Sequence, residues 1–249
     1  MSEERPSPPR RSRLLPVIVG RLLIVALAGL ALVSGLVWTG AIVVPDRFNP
    51  FAPLRIADAP NWLTRMKLSR LEDKVGQCLA VIENSPLHFS PVPDQVLGEG
   101  CGFANAVEVA RSTVDFSRSF TATCPLAAAW ALLETHVLQD AARQHLGQEV
   151  ASVIHFGTYA CRNINHRASG RRSEHAMANA IDIAGFVLAD GRKITLLDDW
   201  SGSDPREAAF LRAVRDGACR FFDVVLSPDY NEAHRDHFHF DMGPYDTCR

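Results

Sequence analysis

A stretch of 24 residues without a charged side chain, residues 22–45, constrains this chain more than any other feature. Leu, Val, Ala, Ile and Gly dominate it, and a helix of this length, rising about 1.5 Å per residue, crosses a hydrocarbon core of about 30 Å. We therefore predict one transmembrane helix at residues 22–45. A cleaved signal peptide is the alternative, but the stretch is longer than a usual signal core and no clear small-x-small cleavage site closes it.

The residues before this stretch are basic. Five arginines stand against Glu3 and Glu4, and they are Arg5, Arg10, Arg11, Arg13 and Arg21. By the positive-inside tendency, residues 1–21 are predicted to form a cytoplasmic tail, and the chain after Pro45 is predicted to lie outside the cytoplasm. The Arg10-Arg11 pair matches a twin-arginine signal only loosely, and a positive flank explains it as well.

Cysteine usage agrees with this topology. All six cysteines follow the predicted span, and they are Cys78, Cys101, Cys124, Cys161, Cys219 and Cys248. An even number in an oxidising compartment predicts three disulfides, although the sequence does not choose among the possible pairings. Since there is no CxxC spacing, we do not expect a cysteine zinc site or a thioredoxin-like redox pair.

The rest of the chain divides into a linker and one folded domain. Three prolines among mixed polar residues predict a linker at residues 46–75 that ends in a short amphipathic segment. Folding is predicted to begin near Cys78, which places the domain at residues 76–249. Apolar residues at three- and four-residue steps predict an amphipathic helix at 125–145, with Gly147 as its stop.

Strands and a second helix follow, and their order predicts a compact α+β domain with a small antiparallel sheet and flanking helices. Asp190-Gly191 separates two runs of strand-forming residues, which predicts a hairpin. Pro205 follows Ser203 and Asp204, which predicts the start of a helix. The predicted elements are strands at 150–159, 181–188, 194–197, 223–226 and 237–241, and a helix from 203 or 204 to about 221.

Charge excludes one class of partner. The formal net charge is -2, and no long run of Lys and Arg occurs outside the first 21 residues. Nucleic acid is therefore not an expected partner.

Metal-ligating residue types concentrate in two short segments, residues 173–182 and 234–241. In the second, the alternation of a strand puts His237, His239 and Asp241 on one face and points Phe238 and Phe240 into the core. The first adds an imidazole and a carboxylate. Two histidines and one carboxylate leave tetrahedral zinc a fourth position for water, which distinguishes a catalytic site from a closed structural one.

The remaining histidines do not join this pattern. We interpret five of them as structural or surface residues, namely His88, His136, His145, His155 and His166. Asp236 and Asp241 equally fit a role in orienting imidazoles rather than binding a metal.

At these residues the sequence resembles the extensin-like C-terminal family of bacterial proteins, and through it the zinc D-Ala-D-Ala carboxypeptidases and LAS-type peptidoglycan endopeptidases. The resemblance covers residues 78–249 and is strongest at 159–162, 173–186 and 222–241. It implies a Hedgehog/DD-peptidase-like fold. The family pattern Ser-x-His-x-x-Gly-x-Ala-x-Asp is matched by Ser173, His175, Ala180 and Asp182, which implies that His175 and Asp182 bind Zn²⁺.

A second pattern, His-x-x-His-x-His of the penicillin-insensitive murein endopeptidases, is matched by His234, His237 and His239. It implies that His239 is the third ligand and that His237 acts as an acid/base or oxyanion-stabilising group. The chain departs from the family where Ala178 replaces the usual Gly, and it lacks the Glu-x-x-His form of the carboxypeptidases. The general base is therefore left open among His237, His234 and Asp236.

The resemblance implies a zinc peptidase of the bacterial inner membrane that cleaves amide bonds of peptidoglycan stem peptides or cross-links on the periplasmic side. Arg162 and Ser173 are candidate substrate-binding residues, and Arg162 also fits a structural role beside Cys161. Two alternatives are a cell-wall-binding module without turnover and a structural zinc domain. A fourth protein ligand such as Asp241 would favour the structural domain.

Overall fold

The computed structural model describes residues 14–249, apart from the side chains of residues 14–17 and His166. Two compact units divide at Pro45, and the second comprises Asp46–Arg249. Residues 1–13 of the predicted basic tail lie outside the described residues.

The first unit contains helix α1 (Leu14–Trp38). Its segment Ile18–Trp38 is long and apolar enough to cross a membrane, either as an anchor or as a signal sequence. The helix starts earlier than predicted and includes Arg21. A single arginine does not interrupt an apolar helix, because its long side chain can reach a lipid–water interface. The helix also ends earlier, because the left-handed Gly40 (φ +74°) follows and the Ile42 amide donates to the Leu36 carbonyl.

The second unit mixes helices with three sheets, as the predicted α+β class requires. Its helices are α2 (Thr64–Ser69), α3 (Val75–Glu83), α4 (Cys124–Leu133), α5 (Gln139–Leu146), α6 (Leu196–Asp199) and α7 (Pro205–Ala218). Its strands are β1 (His88–Val92), β2 (Gln95–Gly98), β3 (Cys101–Phe103), β4 (Ala106–Arg111), β5 (Asp115–Phe116), β6 (Phe120–Thr123), β7 (Val150–Gly157), β8 (Ala180–Leu188), β9 (Lys193–Thr195), β10 (Val224–Leu226), β11 (Phe238–Asp241) and β12 (Thr247–Cys248).

The largest sheet carries the strands predicted from the sequence. Its order is β12-β10-β11-β8-β7-β5, and β9 also pairs with β8. The central pairs are antiparallel, whereas the edge strands β5 and β12 lie parallel to their neighbours. A three-stranded sheet, β1-β4-β6, and the β2-β3 hairpin were not predicted. Leu196 and Leu197 belong to α6 instead of the predicted second hairpin strand.

The predicted helix at 125–145 consists of α4, a π-helical turn (Glu134–Leu138) and α5, and it ends at the left-handed Gly147 as expected. All ten residues of α4 are buried, so the amphipathic interpretation is wrong for this part and describes only α5. Helix α4 lies in the core because other helices and strands pack against it on every side. Gly217 of α7 allows one close approach, since a Cβ there would lie 2.3 Å from a methyl of Val137.

The linker predicted at 46–75 is wrong, because these residues form part of the domain core. Five apolar side chains of the segment are buried, namely Leu54, Ile56, Leu63, Leu68 and Leu71. The Lys67 ammonium also donates to the Asp46 carbonyl at 2.7 Å, and Asn61 donates to the Arg47 carbonyl at 2.7 Å. Prolines separate the apolar residues irregularly, so no helical or strand period reveals their burial. The predicted short amphipathic segment corresponds to α2.

All three predicted disulfides are present, and the structure supplies their pairing. Cys78 pairs with Cys124 and joins α3 to α4. Cys101 pairs with Cys161, and Cys219 pairs with Cys248. The second bridge ties the β2-β3 hairpin to the loop before residue 162.

Candidate metal centre

Two neighbouring strands of the large sheet place an aspartate and a histidine side by side. His239 of β11 lies directly opposite Asp182 of β8 in the antiparallel register. Side chains of such opposed residues project from the same face of a sheet. Phe238 and Phe240 of β11 belong to the hydrophobic core, as predicted. His239 and Asp241 are buried as well, so the polar face of this strand is also covered.

A short 3-10 turn (Glu174–Met177) brings the third side chain, His175. Ser173 caps this turn, and its hydroxyl accepts the amide hydrogen of His175. Ala178 ends the turn in the left-handed conformation with φ +53°. A glycine adopts this conformation with less strain, which explains in physical terms the Gly of the family pattern.

Three atoms converge where the strands and the turn meet. His175 Nε2 lies 3.1 Å from Asp182 Oδ1 and 3.1 Å from His239 Nδ1, and His239 Nδ1 lies 3.0 Å from Asp182 Oδ1. The three residues form a group that could hold a metal ion. Two ligands about 2.0–2.1 Å from a tetrahedral zinc ion are themselves about 3.3 Å apart. The observed spacing is therefore compatible with a metal ion among the three atoms.

The outer nitrogens of both imidazoles are bound to acceptors. His175 Nδ1 donates to the carbonyl of Thr158 at 2.9 Å, and His239 Nε2 donates to Asp241 Oδ2 at 2.8 Å. Since a carbonyl and a carboxylate can only accept, these nitrogens carry the hydrogens. In neutral imidazoles the lone pairs of His175 Nε2 and His239 Nδ1 then point toward Asp182, so three electron-rich atoms face one another.

The protonation of this cluster follows from the same contacts. Burial raises the pKa of Asp182, but its close contacts with the His175 and His239 rings outweigh burial and hold that pKa far below its usual range. Burial lowers the pKa of His239, whereas hydrogen bonds to Asp182 and Asp241 outweigh it and raise the pKa to about 9. One proton thus stays in the cluster at neutral pH when no cation replaces it.

The two predicted catalytic histidines stand beside the cluster. His237 Nδ1 donates to Asp236 Oδ1 at 2.8 Å, and its Nε2 lies 3.7 Å from Asp182 Oδ1. His234 Nδ1 donates to Asn231 Oδ1 at 2.8 Å. Burial, together with His239 and His237, lowers the pKa of His234 to about 4, so this ring is neutral at pH 7.

The two predicted substrate-binding residues differ. Arg162 is half-buried and lies close enough to His234 for its positive charge to help lower the pKa of that ring. Its carbonyl also accepts the amide hydrogen of Ser173 at 3.0 Å, so the structural role beside Cys161 holds for its backbone. Ser173 is buried and its hydroxyl caps the turn, and its binding of substrate stays a prediction.

Sequence reasoning missed four residues around the cluster. Thr158 contributes its backbone carbonyl, and because any residue type has one, the sequence gives no sign of this role. Asn231 holds His234, and two exposed rings border the histidines, with Phe156 5.7 Å from His237 and Tyr230 5.5 Å from His234. The exposure of the Phe156 ring, on β7, could not be predicted from residue type.

A groove of about 1040 Å³ lies apart from the cluster. Glu174 and Met177 of the turn that bears His175 line it, but none of His175, Asp182, His234, His237 and His239 does. Its apolar lining includes Phe103, Met242 and Tyr245. This groove is thus distinct from the place where His175, Asp182 and His239 converge.

Comparison with known proteins gives one finding. A family model described as "Extensin-like protein C-terminus" matches residues 76–249. No curated protein and no solved structure matches the chain.

Proposed function

The chain belongs to the extensin-like protein C-terminus family, and we propose that its domain is a zinc-dependent peptidase acting on peptidoglycan. The bonds cleaved are amides of stem peptides or cross-links. Kinship with the zinc carboxypeptidases and murein endopeptidases is part of this proposal. The family name by itself assigns no chemistry, so the geometry of the site supports the proposal.

One observation supports the proposal, namely the convergence of three metal-ligating atoms that face one another and need a proton or a cation between them. His175 Nε2, His239 Nδ1 and Asp182 Oδ1 lie 3.0–3.1 Å apart, and the outer nitrogens of both rings are committed to Thr158 and Asp241. Such an arrangement is costly when buried unless a cation or a proton lies between the atoms. Imidazole and carboxylate ligands with acceptors behind the imidazoles are typical of zinc sites.

The alternative of a closed structural zinc site is disfavoured by Asp241. One oxygen of this carboxylate accepts from His239 Nε2, and the other accepts from the Gly243 amide at 2.8 Å. Asp241 is thus occupied as an orienting group and is not free to serve as a fourth ligand. Three protein ligands leave a position for water, as in catalytic sites.

In the proposed reaction, bound zinc would supply a Lewis acid that polarises the amide carbonyl and lowers the pKa of water. His237 Nε2 accepts a proton from the attacking water, since Asp236 holds the hydrogen on Nδ1. As the C–N bond breaks, His237 returns that proton to the leaving amine. His234 is the second candidate for proton transfer, although its lowered pKa makes it a weaker base, and Arg162 supplies a positive charge for a substrate carboxylate.

The proposed compartment follows from two features. Ile18–Trp38 would anchor the chain in the inner membrane, and three disulfides suit an oxidising periplasm. Peptidoglycan is the amide-rich polymer of that compartment.

A cell-wall-binding module without turnover is the second candidate. The groove of about 1040 Å³ favours it, because the groove could hold a ligand without involving the histidine cluster. In that case the metal would stabilise the turn that separates the groove from the cluster.

The test is digestion of purified muropeptides by the full chain in detergent, with zinc or with a chelator, analysed by mass spectrometry. We compare the wild type with His239→Ala and with His88→Ala, which removes an exposed histidine on β1. Zinc-dependent loss of one defined peptide bond in wild type and His88→Ala, absent in His239→Ala, supports the peptidase. Muropeptide binding without cleavage favours the binding module, and the absence of zinc binding overturns the zinc peptidase.

A further inference from the structure

The segment that joins the apolar helix to the domain core is folded, and this shortens the connection between them. The sequence suggested a linker of 30 residues at 46–75, but the second unit begins at Asp46 and α1 ends at Trp38. Seven residues lie between, and at a maximum of about 3.3–3.6 Å per residue they span no more than about 25 Å. The Ile42–Leu36 hydrogen bond shortens this reach further.

Some apolar side chains at the start of the domain are buried and others are exposed. Leu54, Ile56 and Leu63 are buried, whereas Phe51 is 89% exposed and Trp62 is 80% exposed. The segment is not loose, since Asn61 donates to the Arg47 carbonyl at 2.7 Å and Arg70 donates to the Pro50 carbonyl at 2.5 Å. These contacts hold the backbone beside Phe51 and Trp62 against α2, so both rings are presented to the outside by a fixed scaffold.

Basic side chains outnumber acidic ones in the segment that carries these rings. Residues 46–70 contain five Arg and Lys residues against two Asp, although the whole chain has a formal net charge of -2. Arg47, Arg55 and Arg70 are exposed, and the Arg47 guanidinium lies 4.8 Å from the Phe48 ring centre. Aromatic rings beside basic side chains are the residue types that settle at a membrane interface with anionic headgroups.

We propose that Phe51, Trp62 and the exposed arginines Arg47, Arg55 and Arg70 form a lipid-binding face of the domain. This face inserts its two rings among the headgroups of the membrane that Ile18–Trp38 crosses and holds the domain against the bilayer. The proposal rests on that helix being a retained anchor, and it is independent of the metal centre. Its consequence is that the domain acts on material close to the membrane, not at the end of a long tether.

Tryptophan fluorescence can test this face directly. The chain contains Trp38, Trp62, Trp130 and Trp200, of which the last two are 2% and 3% exposed. In the full chain with Trp38→Phe, reconstituted into vesicles with anionic lipids, the accessible emission comes from Trp62. The double variant Trp38→Phe/Trp62→Phe provides the background from the buried rings. A third variant adds Val96→Trp to that background and places a ring at a position of β2 that is 95% exposed.

We expect a nitroxide attached to lipid headgroups to quench Trp62 but not the tryptophan at position 96. We expect the quenching constant for aqueous iodide to be about threefold or more lower for Trp62 than for position 96. Flotation with the vesicles first establishes that the chain is anchored. A floating chain whose Trp62 is as open to iodide as position 96 overturns the face while leaving the anchor intact. Protection of Trp62 from both quenchers also overturns it, because a protein surface would then cover the ring.

Discussion

Two carboxylates of this domain that are largely removed from water have opposite surroundings. Glu134, at the start of the π-helical turn, accepts hydrogen bonds from the Ser112 hydroxyl at 2.8 Å, the Thr113 amide at 3.0 Å, the Thr113 hydroxyl and the Trp130 indole at 3.1 Å. Asp182 is contacted instead by His175 and His239, whose outer nitrogens are already committed. Glu134 is satisfied by donors alone, whereas Asp182 shares its site with two other acceptors.

The difference separates a structural carboxylate from a candidate ligand. A carboxylate surrounded by donors closes a network and needs nothing further. A carboxylate facing two imidazole lone pairs is complete only with a proton or a cation. Burial alone does not distinguish the two, since both side chains are largely removed from water.

The largest expected effect comes from removing the charge of Asp182. In Asp182→Asn, zinc affinity is expected to fall by about a thousandfold or more, because one anionic ligand of three is lost. Competition with a chromophoric chelator measures the affinity. If Asp182→Asn binds zinc as tightly as the wild type, the proposed centre is wrong. Asp115→Asn, an exposed carboxylate on β5, serves as the control.

The matched substitution at Glu134 should destabilise the fold without changing zinc binding. Glu134→Gln places an amide NH₂ against a group that can only donate, which is expected to cost about 2–3 kcal/mol in the free energy of unfolding. Denaturant titration of the metal-free proteins measures this cost. Zinc stoichiometry of the folded variant should equal that of the wild type. A loss of zinc binding in Glu134→Gln would show that the two carboxylates are not separate in function.

A smaller effect is expected from Asp241, which orients one ligand. Asp241→Asn keeps the size of the side chain but replaces the carboxylate behind His239, so zinc affinity should fall by about 10–100-fold. Calorimetric titration with zinc measures the change. An affinity loss as large as that of Asp182→Asn would indicate that Asp241 binds the metal itself, which would favour the closed structural site.

The pH dependence of binding should show the proton that zinc displaces. The pKa of His239 is raised from 6.5 to about 9 in the metal-free protein, so below that pH zinc competes with a proton. Affinity is therefore expected to rise with pH by about tenfold per unit between pH 6.5 and 9. The same raised pKa stabilises the metal-free fold below pH 6.5, and this contribution is lost as the pH rises through about 9. Zinc titrations at three pH values test the rise in affinity, and thermal melts of the metal-free protein test the loss of stability. An affinity that does not change with pH would contradict the displaced proton.

The central residues of the candidate site could be predicted because they lie in short sequence patterns. Alternation in residues 237–241 identifies which side chains of β11 share a face, and the register then places His239 opposite Asp182. The partners behind the ligands were not predictable in the same way. Thr158 contributes a backbone carbonyl, and the structural use of Ser173 depends on a cap that only the folded turn reveals.

The fold could be predicted where a helix or strand has a regular apolar period in its sequence. It could not be predicted where contacts between residues distant in sequence determine burial. The strands β7, β8, β10 and β11 and helix α7 match their predicted positions within a few residues. Residues 46–75 lack a period because their apolar side chains enter the core from turns, and α4 is buried on every side by elements distant in sequence. Disulfide pairing likewise depends on three-dimensional proximity.

The smallest expected effect concerns Ala178, where the chain departs from the family pattern. Ala178→Gly relieves a left-handed conformation that costs about 1–2 kcal/mol for a residue with a Cβ. It also removes a buried methyl worth about 0.8 kcal/mol and adds about 0.5–1 kcal/mol of chain entropy to the unfolded state. These terms nearly cancel, so the free energy of unfolding should change by less than about 1 kcal/mol. Ala178→Val supplies the contrast, since a β-branched residue strains both the backbone and the packing and should move the turn that carries His175. Denaturant and zinc titrations of both variants measure the outcome, and a Val variant as stable as the wild type would contradict the left-handed turn on which the position of His175 depends.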